Sequence, residues 1–335
     1  MRKLNNFCPN PFQCIEIHKT GAVYTCCPNW NKFYEIGNIF EHTFDEVWNS
    51  PAAVEFRTRI MNNDYSLCDG QTCFYLQNKM FYTDFETNYK PVMEEYPLII
   101  KFAYDFECNI ACKICRDKMY VSPEDKLNLL NSKIDSFFLP LLKSAKILII
   151  NAAGDPFGSR HSRLIIQKAA ETYPSLQFDF HTNGINCNKQ TLENLNITAD
   201  RINQIKISMH AATAKTYSKI INSPESSKLF DRILDNLAFL KEFRKIHPFP
   251  LFLNFVVTSE NYKEIPAFID MAEKYNADPH FWEFRQENCA YPMEENLYVC
   301  NDNHPLHNEL IKIMQNEKIK RYKENFSPIL QKLIP

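Results

Sequence analysis

Beyond residue 95 the chain alternates short apolar runs with amphipathic segments. The runs 98–104, 146–151, 176–181, 203–209, 251–257 and 279–284 have strand length. Between them, apolar positions recur at helical spacing over 123–138, 160–172, 188–195, 213–221, 225–246 and 261–275. Strands alternating with helices predict a parallel sheet with crossover helices. Six such units predict an α/β fold of the partial (β/α)6 barrel kind, whose functional groups gather at the carboxyl ends of the strands. Residues 311–335 read as lysine-rich amphipathic helices.

Before residue 90 the pattern differs. Cys14 to Cys26 reads as a hairpin turning at Thr20-Gly21. Thr43 followed by Glu46 three residues later is a capping box, so a helix starts there with Phe44, Val47 and Trp48 on one face. Pro51 opens a second helix that buries Val54, Ile60 and Met61. The expected organisation is a small domain over 1–90, the partial barrel over 91–290 and a helical extension over 291–335.

Composition narrows the classes. At 335 residues, 45% of them hydrophobic, the chain can bury a sizeable core. A formal charge of -2 argues against nucleic acid as a partner. No stretch approaches the roughly 18 apolar residues that span a bilayer, and the first residues hold no run of signal-peptide length. The expectation is a cytoplasmic protein with no membrane partner. Twelve cysteines in such a chain point to metal or redox chemistry rather than disulfides.

Three of them stand in Asp-Phe-Glu-Cys108-Asn-Ile-Ala-Cys112-Lys-Ile-Cys115-Arg, directly after the first strand of the alternating region. A loop with thiols at these intervals can hold three corners of a [4Fe-4S] cubane and leave the fourth iron open, unlike the four-thiolate sites of electron carriers. Structural zinc takes four ligands in pairs, and no second Cys or His pair lies nearby. Inert buried thiols are a further reading, set against the polar neighbours Asn109, Lys113 and Arg116.

The spacing Cys108-x3-Cys112-x2-Cys115 resembles the signature of the radical S-adenosylmethionine (SAM) enzymes. That resemblance implies a cluster whose open iron chelates SAM. One electron then cleaves the sulfonium to methionine and a 5′-deoxyadenosyl radical, which abstracts a hydrogen atom. The residue before the third cysteine is Ile114, where relatives commonly carry an aromatic one. The second strand runs into Ala153-Gly154-Asp155-Pro156, similar to the family's Gly-Gly-Glu-Pro turn, whose backbone binds the methionine amino group. The third ends in Thr182-Asn183-Gly184, similar to its Thr-Asn-Gly. The fourth ends in Ser208-Met-His210, where relatives show Ser-x-Asp. The resemblance thus implies Gly154, Asp155, Asn183, Ser208 and His210 as cofactor-binding residues. Asn254 and Glu283, on the fifth and sixth strands, are further inward-pointing candidates.

The order of Cys8, Gly21, Cys26, the Asp-Glu-Val-Trp48 segment, Cys68 and Cys73 resembles a SPASM or twitch domain, the auxiliary-cluster module of many radical SAM enzymes. It is usually carboxy-terminal in such enzymes; here it precedes the barrel. The match implies Cys8, Cys26, Cys68 and Cys73 as ligands of a second, auxiliary [4Fe-4S] cluster, with Cys14 and Cys27 as spare or alternative thiols; four-cysteine zinc is the competing reading. Cys187, Cys289 and Cys300 lie outside both groups, either as buried inert thiols or as hydrogen donors.

Together these features predict an oxidoreductase- or epimerase-type radical SAM enzyme. No segment of the size of a leader-binding domain is seen, which favours a small polar substrate, sugar- or nucleotide-linked. The alternatives are a peptide-modifying maturase and a non-catalytic iron-sulfur or zinc protein that transfers electrons. Family resemblance implies flavodoxin or ferredoxin as the reducing partner.

Overall fold

The computed structural model describes residues 2–4, 7–82, 85–150, 153–221, 223, 225–285 and 295–335. The fold is mixed α/β with a nine-stranded, mostly parallel sheet, as the alternating pattern predicts. Two compact units make up the chain. One comprises Met1–Phe106, Ser122–Ala153 and Arg160–Phe178; the other comprises Glu107–Val121, Gly154–Ser159 and Asp179–Pro335.

In the first unit β1 (Arg2–Leu4) pairs antiparallel with a later strand of the unit, Phe85–Thr87. The expected hairpin is β2 (Cys14–His18) and β3 (Ala22–Tyr24), followed by β4 (Gly37–Asn38). Gly21 turns it at φ +83°, where a Cβ would come within 2.6 Å of the Asn38 side chain and the Phe40 ring. With β5 being Phe85–Thr87, the parallel strands begin at β6 (Ile99–Ala103) and β7 (Ile147–Ile150). The hairpin does more than hold cysteines: β2 pairs parallel with β6, from Cys14 opposite Ile99 to His18 opposite Ala103. Alternation sends Ile100, Phe102, Leu148 and Ile150 to one buried face.

Thr43 closes the expected capping box with Glu46, and Phe44, Val47 and Trp48 are buried. The helix Pro51–Met61 starts where Pro51 predicts, but its buried face is Ala53, Phe56, Arg57, Ile60 and Met61. Val54 is only half-buried, because the stripe sits one position away from the one anchored on it. The stretch expected as one helix over 123–138 is instead Glu124–Ser132 followed by a π-helical turn, Ile134–Phe138. The wider turn places Phe137 and Phe138 side by side in the core.

The strand β8 (Gln177–Thr182) gives Gln177 and Phe178 to the first unit and its remainder to the second. The second unit adds β9 (Ile202–Ser208), β10 (Leu251–Val257) and β11 (Asp278–Glu283), in the order β11-β10-β9 with parallel pairing. Ile205, Ile207, Leu251, Leu253, Phe255 and Phe281 form its apolar face. Phe255 packs edge-on against Phe268 of the helix Ile265–Lys274 at 4.7 Å between ring centroids. The carboxy-terminal helices begin at His307, four residues earlier than the lysine pattern suggests. Among the described residues no helix is long and apolar enough to cross a membrane.

Candidate functional site

The loop that carries Cys108, Cys112 and Cys115 lies in the second unit. Ile110 and Ala111 are buried and anchor it. The Cys108 N–H donates to the Tyr120 carbonyl at 3.0 Å, and Lys113 N–H to the Ile220 carbonyl at 2.9 Å. Cys115 and Arg116 both donate to the Cys112 carbonyl at 2.8 Å, a single helical turn. These bonds hold the loop backbone, and the three thiols are each half-buried.

The three thiols are coupled electrostatically. Burial pushes the Cys112 thiol well above its ordinary value, and Cys108 and Cys115 add to the rise. Cys108 is pushed up to about 11, by burial first and then by Asp155, with Arg116 opposing. Such thiols are protonated in the metal-free chain, so metal binding must displace their protons. Arg116 is 6% exposed, and its pKa is raised: burial is outweighed by Cys115, Cys108 and Cys112. A buried guanidinium beside three sulfurs is the counter-charge that a set of thiolates requires. The donor set of soft sulfurs plus a fixed cation fits an iron-sulfur cluster.

Asp155 is 1% exposed and ties the strand ends together. One oxygen accepts from the N–H groups of Phe157 (3.0 Å) and Gly158 (2.8 Å); the other accepts from the Thr182 hydroxyl and the Asn183 N–H, both at 2.7 Å. Its own N–H donates to the Glu107 carbonyl at 2.9 Å, linking this turn to the cysteine loop. Burial pushes its carboxyl above the ordinary range, against the pull of those four donors. Half-buried Gly154 precedes it.

Asn183 is held by the Ile185 N–H on its carbonyl at 3.0 Å. Its amide donates to Asn109 at 2.8 Å and reaches to 3.9 Å from the Cys108 sulfur. Gly184 takes φ +83°, and a Cβ there would meet the Ile207 side chain at 2.8 Å, which explains the glycine after Thr182-Asn183. Hydrogen bonds thus link Asp155, Asn183 and Cys108, and a separate turn links Cys112 to Cys115 and Arg116. Ser208 lies further along, half-buried at the end of β9.

His210 turns into the protein. It adopts φ +60°, its Nδ1 accepts from the Val256 N–H at 3.0 Å, and its carbonyl accepts from the Asn261 amide at 2.8 Å. Burial lowers its pKa from 6.5 to about 4, so the imidazole is neutral at pH 7 with the proton on Nε2. The folded chain then binds fewer protons than the unfolded one between these values. Stability is full above about pH 7 and falls as acid is added, by up to ~3 kcal/mol near pH 4. Denaturant unfolding from pH 7 to pH 4.5 should show that loss, and His210→Asn, which tolerates the left-handed backbone, should flatten it. Equal slopes in the two proteins would exclude this source.

In the first unit a second set of thiols gathers. Cys8 is pushed up to about 11 by burial and by Cys73; Cys68 to about 12 by burial, Cys8 and Cys73; and Cys26 is raised by burial, then by Cys8 and Cys68. Cys14 joins them, pushed up to about 12 by burial and Cys8. Cys27 is raised by burial and then by Glu16, which forms an ion pair with Lys101 at 2.9 Å, and it couples to Cys26 as Cys14 does. Among the described residues no disulfide occurs, and no three Cys, His, Asp or Glu side chains are grouped tightly enough to hold a single metal ion.

Cys187 and Cys300 are buried, at 0% and 7% exposure. Cys289 lies outside the described residues. Glu283 belongs to the buried parity of β11 with Pro279 and Phe281, and Ser327 donates to it, so it does not share the face of Asn254. Arg116 is the residue that motif reading passed over; its signal was a charge placed directly after the last cysteine.

Residues 8–74 match the family model of SPASM, described as an iron-sulfur cluster-binding domain. This match agrees with the SPASM-like order of the amino-terminal cysteines and gives that segment iron-sulfur as its cofactor class. No curated protein matches the chain. Among solved structures, it is similar to Streptococcus suis SuiB bound to the precursor peptide SuiA, at 15% identity and TM-score 0.42, covering 86% of this chain and 64% of that one. SuiB bound to S-adenosylmethionine gives 16% identity, TM-score 0.44 and the same coverages of 86% and 64%. The FeFe-hydrogenase maturase HydG from Carboxydothermus hydrogenoformans gives 9%, TM-score 0.36, and 67% of this chain against 52% of that one. The chain thus spans 64% of the length of the first SuiB structures it matches.

Proposed function

We propose that this chain is an enzyme that cleaves SAM reductively and abstracts a hydrogen atom from a small polar substrate, ending in oxidation or epimerisation. The observation that carries the proposal is the loop of Cys108, Cys112 and Cys115, which supplies three thiolates where a closed cluster takes four. When bound, a [4Fe-4S] cluster and SAM supply the electron and the 5′-deoxyadenosyl radical. The chain's own residues do the rest. Cys108, Cys112 and Cys115 hold the cluster, Arg116 balances their charge, and Asn183 directs its amide at the Cys108 sulfur. Asp155 fixes the turn after Gly154 and the end of β8 relative to the cysteine loop, which supports the assignment of Gly154 and Asn183 to the cofactor side.

Cys8, Cys26, Cys68 and Cys73, with Cys14 beside them, would hold the auxiliary cluster, which assists oxidation or substrate binding. A flavodoxin or ferredoxin would deliver the electron in a cytoplasmic setting. The three-domain division at residues 90 and 290 accompanies this reading. The test is anaerobic: reconstitute the protein with iron and sulfide, reduce it, add SAM and measure 5′-deoxyadenosine. Formation of 5′-deoxyadenosine is expected, together with a SAM-dependent change in the cluster's electron paramagnetic resonance. Absence of both would sink the reading.

A further inference from the structure

On β9, β10 and β11 one face is apolar and buried, but the other is less buried and mixes Lys206, Ser208, Asn254 and His280 with Phe252 and Val256. Parallel sheets are normally covered on both faces by apolar side chains. Here β10 sets Asn254 opposite Ser208 on β9 and opposite His280 on β11, so the three polar side chains form one cross-strand row. One rung further along that face stands Trp282, opposite Val256 and 46% exposed. The Asn254 side-chain amide oxygen is buried without a hydrogen-bond partner, whereas its backbone carbonyl accepts from the Met209 and His210 N–H groups. Leaving such an acceptor unmet costs about 1–3 kcal/mol, and folded proteins rarely retain one without a use.

From this placement we infer that the row Ser208, Asn254 and His280, with Trp282 beside it, binds an uncharged, hydroxyl-bearing ring: a sugar or cyclitol moiety of the substrate. The inference rests on the enzyme reading above and narrows its substrate. Charge supports it. His280 packs its ring 4.7 Å from that of Phe252, and burial together with Lys206 lowers its pKa, so it is a neutral donor-acceptor. The charge of Lys206 is felt by the Asp179 carboxylate. A phosphate or carboxylate would call for a cluster of Arg and Lys. An amide acceptor, a hydroxyl, a neutral imidazole and an exposed indole instead match ring hydroxyls and the C–H face of a sugar. A peptide added as an extra strand along β11 meets an occupied position: Ser327 N–H donates to the Phe281 carbonyl at 2.9 Å, and the Phe281 and Phe326 rings stack at 4.2 Å.

The experiment measures 5′-deoxyadenosine formation by the reconstituted enzyme with SAM and one of three kinds of probe: N-acetylglucosamine and myo-inositol, glucose 6-phosphate, or an unmodified 20-residue peptide. An uncharged ring should accelerate formation about tenfold over SAM alone. Trp282→Ala should lose that acceleration, and Trp282→Phe should retain most of it, since stacking rather than the indole N–H is invoked. Because Trp282 is exposed, thermal unfolding of Trp282→Ala should match the parent. Acceleration by the phosphate or the peptide alone, no acceleration by either uncharged ring, or identical behaviour of Trp282→Ala would overturn the inference. Failure of the parent to cleave SAM at all would instead strike the underlying enzyme reading, so the two failures are distinguishable.

Discussion

Cys112→Ala is expected to abolish 5′-deoxyadenosine formation and to cut bound iron by about half, the remaining iron staying with the amino-terminal thiols. The Cys112 thiol is raised by burial well above its ordinary value, and above Cys108. Its carbonyl also anchors the turn through Cys115 and Arg116. Losing a residue that only orients a ligand typically costs 10–100-fold, so losing the ligand itself should exceed ~100-fold. With two thiolates left, Arg116 would keep its charge beside a depleted set of sulfurs, which further disfavours reassembly. Cys68→Ala provides the contrast, because it should remove the other share of iron and leave the resonance signal of the loop cluster in place. Iron analysis and electron paramagnetic resonance on both variants decide the matter. Retention of SAM cleavage by Cys112→Ala would mean that these thiols do not hold the reactive cluster.

The βα repeats were legible because each strand alternates in two and each helix in three to four, and both periods survive in the sequence. The cysteine loop was legible because its ligands lie within eight consecutive residues. What long-range packing decides was not legible. Asp155 reads as a turn residue beside the cofactor, yet all four of its donors come from two separated segments, 157–158 and 182–183. His210 stands where relatives place an acid, but a left-handed backbone turns its ring toward Val256. Glu283 and Asn254 look alike as polar residues near strand ends; only their parity against buried Phe281 and Phe255 separates them. The π-helical turn at Ile134–Phe138 and the one-position shift that leaves Val54 half-buried follow from which neighbours fill the core, which a periodic pattern does not record.

Arg57 is the clearest case, and its removal should be the most damaging single change outside the cysteines. Arginine ordinarily belongs to the surface, so its place in the helix Pro51–Met61 gave no sign of burial. In the structure it is 0% exposed. Its guanidinium donates to the carbonyls of Pro11 (2.9 Å), Trp48 (2.8 Å) and Pro91 (3.0 Å) and to the Asn49 side chain (3.2 Å), and lies 4.0 Å over the Trp48 ring. Burial lowers its pKa to about 9, which still leaves it charged at pH 7. One side chain thus joins the short helix Asn10–Gln13, which lies between Cys8 and Cys14, to the Asp-Glu-Val-Trp48 helix and to the segment at Pro91. Arg57→Ala leaves three buried carbonyls unmet and a cavity beside Trp48, and should cost about 3–5 kcal/mol. Arg57→Lys should recover only part of this, because a point ammonium cannot serve divergent acceptors as a planar fork does. Denaturant midpoints should therefore rank parent, Arg57→Lys and Arg57→Ala in falling order, with auxiliary iron content following the same rank. A loss below about 1 kcal/mol for Arg57→Ala would place the strength of the amino-terminal thiol set elsewhere, in the capped helix at Thr43 and the Trp48 contacts that remain.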